Sequence, residues 1–282
     1  MSHIWLNGQA IAAENFNNRA FNYGDGLFET IAVTGGKPRL LALHKERLLA
    51  DCSKLGIVLA EPAFSRELSS VLTQIEQFTA QPGKPSDGVF KIVVVRKGLA
   101  RGYATPGNLP PDCYYCWYPG SNPQFVEQSP GQVQLCKLRL ARQPQLAGIK
   151  HLSRLEQVLA RRELGGTVAD EGLLTDQQGL LIEGIATNLF LARNGDLLTP
   201  NLTNAGVAGV MRRHIIETVA PALGINTRVQ PIPLDTLYSA DELLLCNSLI
   251  GVLPIARVGC FELPSVELGQ RLQQYLINQQ AN

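Results

Sequence analysis

The amino-acid sequence predicts an α+β (α/β) fold divided into two domains. Strand-like and helix-like hydrophobic patterns alternate through residues 1–118, as they do in a compact α/β unit. Residues 119–131 are rich in Pro, Gly, Ser, Asn and Gln, a composition typical of a linker. Residues 132–282 contain more strand patterns than helix patterns. We therefore expect a small N-terminal α/β domain over 1–118, a linker over 119–131 and a larger, β-rich C-terminal domain over 132–282.

The elements of the N-terminal domain follow from local signals. The segment from Trp5 to Ala10 predicts a short strand with a turn at Asn7-Gly8, a dipeptide that favours a tight hairpin. Runs of β-branched and aromatic residues predict strands over 27–33, 89–95 and 114–118, and amphipathic spacing predicts helices over 43–55 and 66–78.

The C-terminal domain is predicted from the same patterns. Alternating or apolar runs predict strands over 133–140, 171–174, 180–183, 188–192, 242–246 and 251–258, and helical spacing predicts helices over 210–219 and 268–277. Asn194-Gly195 predicts another hairpin.

A further helix is predicted to begin near Ser153. Ser153 and Glu156 form an S-x-x-E capping box, and apolar residues over 152–159 repeat with helical spacing. This interpretation places Lys150 in the turn just before the helix. We also expect the apolar face of the helix to hold that turn against the core.

Composition and charge argue against several classes of protein. The 282 residues include 25 Lys and Arg and 24 Asp and Glu, and the net charge of +1 gives no sign of nucleic-acid or membrane-surface binding. The apolar stretches are shorter than a bilayer span. The N-terminal residues MSHIWLNGQA lack the features of a signal peptide, so we expect a cytoplasmic location.

The cysteines and histidines predict no metal site. Cys113 and Cys116 make a C-x-x-C, but no second pair stands at zinc spacing and the four histidines are dispersed. We expect reduced thiols that are largely buried.

Lys150 and Glu183 are the leading candidate site residues. A partly desolvated lysine at the edge of a core can lose its proton and act as an amine nucleophile, although Lys150 taken alone could be a solvated loop residue. Glu183 ends an apolar strand, where a buried carboxylate needs a cationic partner or a strong donor. A protonated pyridine nitrogen would serve as that partner, and so would an arginine.

Other segments could hold a phosphate or a carboxylate. Gly206 and Gly209 open a predicted helix, whose free backbone N–H groups favour an anion, although many helices begin in this way. Arg47 could offer a guanidinium fork to a phosphate or be a surface arginine. The loop from Arg96 to Tyr103 carries two arginines that suit a substrate with carboxylates, and a solvated turn fits equally.

In combination these features match the requirements of pyridoxal 5'-phosphate. They supply a lysine for covalent attachment, a glutamate for the ring nitrogen, and a cradle and an arginine for the phosphate. A noncatalytic binding protein with a degenerate site is the alternative from another class. A nucleotide-binding oxidoreductase is disfavoured because no G-x-G-x-x-G is present.

The chain resembles the fold-type IV pyridoxal-phosphate enzymes, which include branched-chain and D-amino-acid aminotransferases and the 4-amino-4-deoxychorismate lyases. The resemblance is carried by RAFNYGDGLFET at 19–30, LAGIKHLSRLEQVL at 146–159, AGVAGVMR at 205–212, and ADE leading to CNS over 240–248. These segments are most similar to those of the lyases. The resemblance implies a homodimer with a small N-terminal α/β sandwich domain and a larger C-terminal β-barrel-like domain with helices.

The resemblance also implies roles for individual residues. Lys150 would carry the cofactor as a Schiff base, Glu183 would face its ring nitrogen, and Arg154 would lie near its phenolic oxygen. The residues that would hold the phosphate are Arg47, Val210 and Met211 through their backbone N–H groups, and Ser248. The residues that would contact substrate are Tyr23, Phe28, Arg101 and Tyr103.

The reaction implied by the resemblance is conversion of 4-amino-4-deoxychorismate to 4-aminobenzoate and pyruvate in folate synthesis. Lys150 would remove the C4 proton, and Thr30 would act beside the departing pyruvate. The alternative on the same scaffold is an amino-acid aminotransferase acting on branched-chain or D-amino acids. No metal is implied.

Overall fold

The computed structural model describes residues 4–6, 9–11, 18–98, 102–105, 109–120 and 128–279. The chain forms two compact units, one from residues 1–122 with 150–153 and the other from residues 123–149 with 154–282. Helices together with a large mixed sheet confirm the α+β class. In the described part of the chain, no helix is both long and apolar enough to cross a membrane.

The first unit combines an antiparallel sheet with helices. Its elements are β1 (Ile4–Leu6), β2 (Gln9–Ile11), α1 (Arg19–Tyr23), β3 (Gly26–Thr34), β4 (Lys37–Pro38), α2 (Leu41–Lys54), α3 (Glu61–Thr79), β5 (Gly88–Val95) and β6 (Asp112–Pro119). Leu6 of β1 pairs with Gln9 of β2, which confirms the predicted N-terminal hairpin.

The four-stranded sheet of the first unit has the order β4-β3-β5-β6 with antiparallel neighbours. Alternate residues of a strand point to opposite faces, so Leu27, Glu29 and Ile31 share one face of β3, and Phe28 and Thr30 share the other. The first set is buried and the second is partly exposed.

Helix α2 packs against β3 through one face. Its buried residues are His44, Leu48, Asp51 and Cys52, at positions i, i+4, i+7 and i+8 of the helix. Two of these four residues, His44 and Asp51, are polar, so the buried face of α2 includes titratable groups as well as apolar side chains.

The second unit is built around a larger sheet. Its elements are β7 (Gly131–Leu140), α4 (Leu155–Glu163), β8 (Glu171–Asp176), β9 (Leu180–Gly184), β10 (Asn188–Arg193), β11 (Asp196–Pro200), α5 (Val210–His214), a π-helical turn (Ile215–Val219), α6 (Ala220–Ala222), β12 (Thr227–Gln230), β13 (Ile232–Pro233), a 3₁₀ turn (Leu234–Ser239), β14 (Glu242–Asn247), β15 (Gly251–Val258), β16 (Phe261–Glu262) and α7 (Glu267–Asn278).

The described strands of the second unit form a mixed sheet in the order β12-β11-β10-β14-β15-β7-β8-β9-β13, with β16 on β15. Strands β9 and β13 also contact β11, so the sheet curls toward itself around an apolar interior. The predicted hairpin between β10 and β11 is confirmed, with Arg193 opposite Asp196. Asn194 (φ 52°) and Gly195 (φ 81°) have the positive φ angles that such a tight turn requires.

The start of helix α4 differs from the prediction. The helix begins at Leu155 rather than near Ser153, and no side-chain hydrogen bond caps it. The Glu156 carboxylate accepts a hydrogen bond from the Ala141 N–H at 2.7 Å, so the predicted capping box is wrong. The expected packing of the apolar face is also wrong, because Leu155 is 76% exposed and Val158 is 55% exposed.

Helix α4 instead turns acidic residues toward β7. Glu156, Ala160 and Glu163 lie at i, i+4 and i+7 on one helix face. The Glu163 carboxylate accepts hydrogen bonds from the backbone N–H groups of Lys137 at 2.6 Å and Leu138 at 2.9 Å. These carboxylates accept hydrogen bonds from backbone N–H groups. Apolar side chains at the same positions could not accept them.

The domain boundaries drawn from composition stay a prediction. Strand β6 ends at Pro119 and strand β7 begins at Gly131, at the two ends of the predicted linker. Residues 121–127 of that linker lie outside the described residues.

Candidate active site

Residues 150–152 extend the sheet of the first unit along β3. The Phe28 N–H donates to the Lys150 carbonyl oxygen at 3.1 Å, and the Leu152 N–H donates to the Gly26 carbonyl oxygen at 3.0 Å. The lysine is therefore held by strand pairing, not by a helix cap.

A carboxylate from α2 adds a second attachment for the lysine backbone. The Lys150 N–H donates to Asp51 Oδ2 at 3.1 Å, and Asp51 is 2% exposed. The other oxygen, Oδ1, lies 3.2 Å from Lys54 Nζ. With its N–H on a buried aspartate and its carbonyl on β3, the backbone of Lys150 is fixed on both sides.

The Lys150 side chain lies over an aromatic ring. Its Nζ is 4.3 Å from the centre of the Phe28 ring, and Lys91 Nζ is 5.4 Å from the same centre. Thr30 lies on the same face of β3 as Phe28 and is opposite Lys91 in the β3–β5 register. We call Lys150, Phe28, Thr30 and Lys91 the lysine face. It offers two amines and a hydroxyl, which suit a substrate with carboxylates.

The opposite face of β3 carries a buried ionic cluster. Arg47 Nε donates to Glu29 Oε1 at 2.8 Å, and Arg47 Nη2 donates to Glu29 Oε2 at 2.5 Å. His44 Nδ1 lies 2.5 Å from the same Oε2. The side chains of Glu29 and His44 are each 1% exposed and that of Arg47 is 10% exposed, so Arg47 is not a surface arginine. We call these three residues the Glu29 cluster.

The protonation of the Glu29 cluster follows from burial and contact. Burial raises the pKa of Glu29, but the hydrogen bond from His44 and the charge of Arg47 outweigh it, so the pKa lies below its ordinary 4.5. Burial lowers the pKa of His44 below its ordinary 6.5, and contact with Glu29 only partly offsets this. The pair is a carboxylate and a neutral imidazole that donates through Nδ1.

We expect stability to fall with acidity because of His44. The folded chain has the lower His44 pKa, so below about pH 6.5 the unfolded chain binds the additional proton and stability is lost as the pH falls. The loss approaches ~1.4 kcal/mol per pH unit, and Glu29 adds a further loss below about pH 4.5. Urea unfolding at about pH 7.5 and 5.5 measures it.

A matched variant isolates the histidine. His44→Asn keeps a donor near the Nδ1 position but cannot gain a proton, so its free energy of unfolding should fall less between the two pH values than that of the wild type. Gln77→Asn, at an exposed uncharged residue of α3, is the control and should behave like the wild type. Equal losses in the wild type and His44→Asn would contradict this account.

Two of the predicted substrate residues lie together in the first unit. The rings of Tyr23 and Tyr103 have centres 5.6 Å apart, and Tyr103 is 89% exposed. Arg19 Nη1 donates to the carbonyl oxygens of residues 102 and 104, and its guanidinium lies 5.0 Å from the centre of the Tyr23 ring. Arg19 therefore attaches the loop that presents Tyr103. Arg101, the other predicted residue of this loop, lies outside the described residues.

In the second unit, Glu183 is buried at the end of β9. It is 4% exposed, and its Oε2 accepts a hydrogen bond from the Val207 N–H at 2.7 Å. Gly206 has φ +84°, and a Cβ there would lie 2.7 Å from Ile182 Cγ2 and 3.1 Å from Glu183 Oε2. Only glycine lets the loop pass this close to the carboxylate.

The loop after Gly206 is fixed by Asn188. The Asn188 side-chain amide donates to the Val207 carbonyl oxygen at 2.8 Å, and a Cβ on Gly209 would lie 1.9 Å from Asn188 Oδ1. Gly209 precedes α5, so the N–H groups of Val210 and Met211 occupy its first two positions and have no acceptor within the helix. We call residues 206–211 the glycine cradle, which has the donors that an anion requires.

Arg154 and Ser248 also belong to the second unit. Arg154 Nη2 donates to the Ile149 carbonyl oxygen at 2.8 Å. Ser248 lies partly exposed in the turn that follows β14. Asn247 shapes this turn, because its Oδ1 accepts the N–H groups of residues 249–250 at 2.8 and 2.9 Å. Their predicted contacts with a cofactor stay predictions.

Sequence reasoning missed several residues of these clusters. Glu29 and Lys91 are charged residues in strands that are otherwise uncharged, which is a signal that could have singled them out. His44 and Asn188 gave no comparable signal, because their roles depend on contacts with residues distant in the sequence.

Residues 26–258 match the family described as amino-transferase class IV. The chain belongs to this family. Its members depend on pyridoxal phosphate, and its fold is the fold-type IV architecture that the sequence predicted.

Relatives within the amino-transferase class IV family include lyases and aminotransferases. An aminodeoxychorismate lyase from Vibrio harveyi is 32% identical over 275 residues, covering 96% of this chain and 98% of the relative. The crystal structure of 4-amino-4-deoxychorismate lyase from Pseudomonas aeruginosa is 38% identical with a TM-score of 0.83, covering 97% of this chain and 98% of that chain. A D-alanine aminotransferase from Bacillus licheniformis is 24% identical over 248 residues, covering 87% and 83%.

The residues of this family member fit its cofactor. A buried carboxylate at Glu183 suits a protonated ring nitrogen, and the glycine cradle offers backbone donors where a Cβ on Gly206 or Gly209 would collide with neighbouring atoms. Lys150 offers an amine on a backbone fixed by β3 and Asp51.

Proposed function

We propose that this protein is a 4-amino-4-deoxychorismate lyase that forms 4-aminobenzoate and pyruvate for folate synthesis. The observation that carries the proposal is the lysine face, where the amine of Lys150 lies 4.3 Å from the Phe28 ring centre and Thr30 shares the same face. An elimination needs a base and an acid, and this face supplies both. The two relatives at 32% and 38% identity also carry the lyase name.

Lys150, Glu183 and Thr30 have separate roles in the proposed reaction. Bound pyridoxal phosphate supplies a positively charged ring that accepts the electron pair left when the substrate C4 loses its proton. Lys150 carries the cofactor at rest, and its amine, once free, removes that proton. Glu183 keeps the ring nitrogen protonated. Thr30 donates a proton to the methylene carbon of the enolpyruvyl group as its ether C–O bond breaks, which yields pyruvate and an aromatic ring.

Other residues of the proposal bind rather than react. Those that hold the cofactor phosphate are Arg47, Ser248 and, through their backbone N–H groups, Val210 and Met211. Arg154 would interact with the phenolic oxygen of the bound cofactor. Those that contact substrate are Tyr23, Phe28, Arg101 and Tyr103. We add Lys91 to this set because its Nζ lies 5.4 Å from the centre of the Phe28 ring.

The decisive experiment supplies the purified holoenzyme with each class of substrate. Equal release of pyruvate and 4-aminobenzoate from 4-amino-4-deoxychorismate, with no amino acceptor present, supports the lyase. Branched-chain and D-amino acids with a 2-oxo acid acceptor test the aminotransferase. Acceptor-dependent turnover without 4-aminobenzoate would overturn the proposal, and so would cofactor uptake with no turnover of either class.

Lys91→Met should raise the KM for 4-amino-4-deoxychorismate by about tenfold or more and change kcat less. The variant keeps the hydrocarbon stem and removes the cation near Phe28, and a hydrogen bond to a charged group contributes about 1.5–3 kcal/mol. Steady-state kinetics of pyruvate release measures both constants. Lys37→Met, at an exposed lysine of β4, should leave them unchanged. A KM equal to that of the wild type would remove Lys91 from the substrate site.

We also propose that the protein is a homodimer. On α4, Leu155, Val158 and Leu159 lie at i, i+3 and i+4 and are 76%, 55% and 47% exposed. A second copy would cover this apolar face, which is costly to leave in water. Light scattering of the purified protein tests the dimer, and a monomeric mass would contradict it.

A cytoplasmic location completes the proposal. The six cysteines are all described, and none is in a disulfide. Unpaired thiols are typical of a reducing compartment. Fractionation of cells that express the full chain tests the location, and recovery outside the cytoplasm would contradict it.

A further inference from the structure

We propose that Glu29 is a positioning residue that aims the guanidinium of Arg47 at the cofactor phosphate. The inference rests on the proposed function, in which Arg47 binds that phosphate. Arg47 meets Glu29 through two nitrogens, with Nε 2.8 Å from Oε1 and Nη2 2.5 Å from Oε2. A two-point fork fixes the plane of a guanidinium, whereas a single contact lets it rotate.

Glu29 is itself held by His44. The His44 Nδ1 donates to Glu29 Oε2 at 2.5 Å, and both side chains are 1% exposed. The other ring nitrogen, Nε2, is buried without a hydrogen-bond partner among the described residues. A buried, unpaired nitrogen lowers stability, and an apolar side chain would avoid that cost. The benefit of a histidine at this position therefore lies in its contact with Glu29.

The same geometry argues for orientation over stability. A buried ion pair gains little net stability, because taking both charges out of water offsets their attraction. Glu29 also cancels much of the Arg47 charge, so it does not strengthen the attraction for a phosphate. Glu29 instead acts by orientation. Its carboxylate is fixed between strand β3 and helix α2, and this carboxylate in turn fixes the plane of the Arg47 guanidinium.

The test compares two cofactor forms on the full chain freed of cofactor. Pyridoxal phosphate and pyridoxal differ only in the phosphate, and absorbance titration gives a dissociation constant for each. Glu29→Gln removes the two-point contact with Arg47 and should weaken pyridoxal phosphate binding about tenfold. Pyridoxal has no phosphate for Arg47 to bind, so its dissociation constant should stay unchanged. Glu76→Gln, at an exposed glutamate of α3, is the matched control and should change neither constant.

Positioning and simple charge attraction predict opposite effects of Glu29→Gln on pyridoxal phosphate binding. Removing the Glu29 carboxylate leaves Arg47 with more net charge, so a site governed by attraction alone would bind the phosphate form more tightly. An unchanged or increased preference for pyridoxal phosphate in Glu29→Gln overturns the proposal. A purely structural role would weaken both cofactor forms equally and would overturn it as well.

His44 variants provide a second route that does not require Glu29→Gln to fold. His44→Asn keeps a donor near the Nδ1 position and should retain the preference for pyridoxal phosphate. His44→Leu removes the donor and should reduce the preference about threefold. Equal preferences in the two variants contradict the proposal. A wild-type protein that takes up neither compound would instead contradict the cofactor site itself.

Discussion

Lys150→Arg should lose turnover of 4-amino-4-deoxychorismate by a factor on the order of 10⁴ or more, because in the proposed reaction this one side chain both carries the cofactor and removes the C4 proton. Arginine keeps a positive charge near Phe28 but stays protonated and is not a nucleophile. The backbone pairing with β3 and Asp51 does not depend on the side chain, so the variant should fold. Pyruvate release measures the loss.

Covalent attachment gives an independent measurement of the same residue. Borohydride reduction followed by peptide mass mapping should find a pyridoxyl adduct on Lys150 in the wild type and none in Lys150→Arg. Lys37→Arg, an exposed substitution of the same type, should keep both the adduct and the turnover. An adduct on another lysine of the wild type, or more than about a tenth of wild-type turnover in Lys150→Arg, would falsify the assignment.

The sequence segment around Lys150 predicts a functional role for it, but the contacts that hold its backbone could not be predicted. The S-x-x-E pattern at 153–156 is a local signal, and it suggested a helix cap that the structure does not contain. The contacts that do hold Lys150 come from Phe28 and Asp51, which are about a hundred residues away in the sequence. Local patterns report helix and strand preferences and carry no information about which distant strand a turn joins.

Helix α4 shows why periodicity alone misplaced an apolar face. The repeat from Leu155 to Leu159 is real, but it is Glu163 that meets β7 and Glu156 that meets Ala141 just after it. Ala160 and Leu164, buried with Cys136 and Leu140, supply the apolar contact on this side, and the two carboxylates accept backbone N–H groups that need acceptors. Most strands and helices were predicted because their signals are local, as at Asn194-Gly195, where the turn chemistry determines the hairpin.

The charged residues Glu29 of β3 and Lys91 of β5 were visible as exceptions in the sequence. Glu29 and Lys91 each stand where an apolar residue would continue the strand pattern. Such an exception indicates a partner, but the partner's identity depends on the packing of α2 for Glu29 and on the ring of Phe28 for Lys91. The sequence could therefore have indicated that these positions matter without indicating which contacts they make.

Glu183→Gln should reduce kcat by a factor on the order of 10²–10³ while leaving the cofactor attached, because the proposed role of Glu183 is to stabilise charge on the ring nitrogen. Glutamine has the same shape, and its carbonyl oxygen can still accept the Val207 N–H that the carboxylate accepts at 2.7 Å. The loop at Gly206 should therefore keep its path. Borohydride reduction should still label Lys150.

Removal of the C4 proton is the step that Glu183→Gln should slow, since a neutral glutamine cannot hold the proton on the ring nitrogen. Substrate deuterated at C4 should accordingly show a larger isotope effect on kcat in the variant than in the wild type. Glu171→Gln is a matched control, because Glu171 is a second buried glutamate of the same unit whose pKa burial already raises. It should keep kcat, and a similar loss of kcat in both variants would show that Glu183 acts through the fold and not on the cofactor ring.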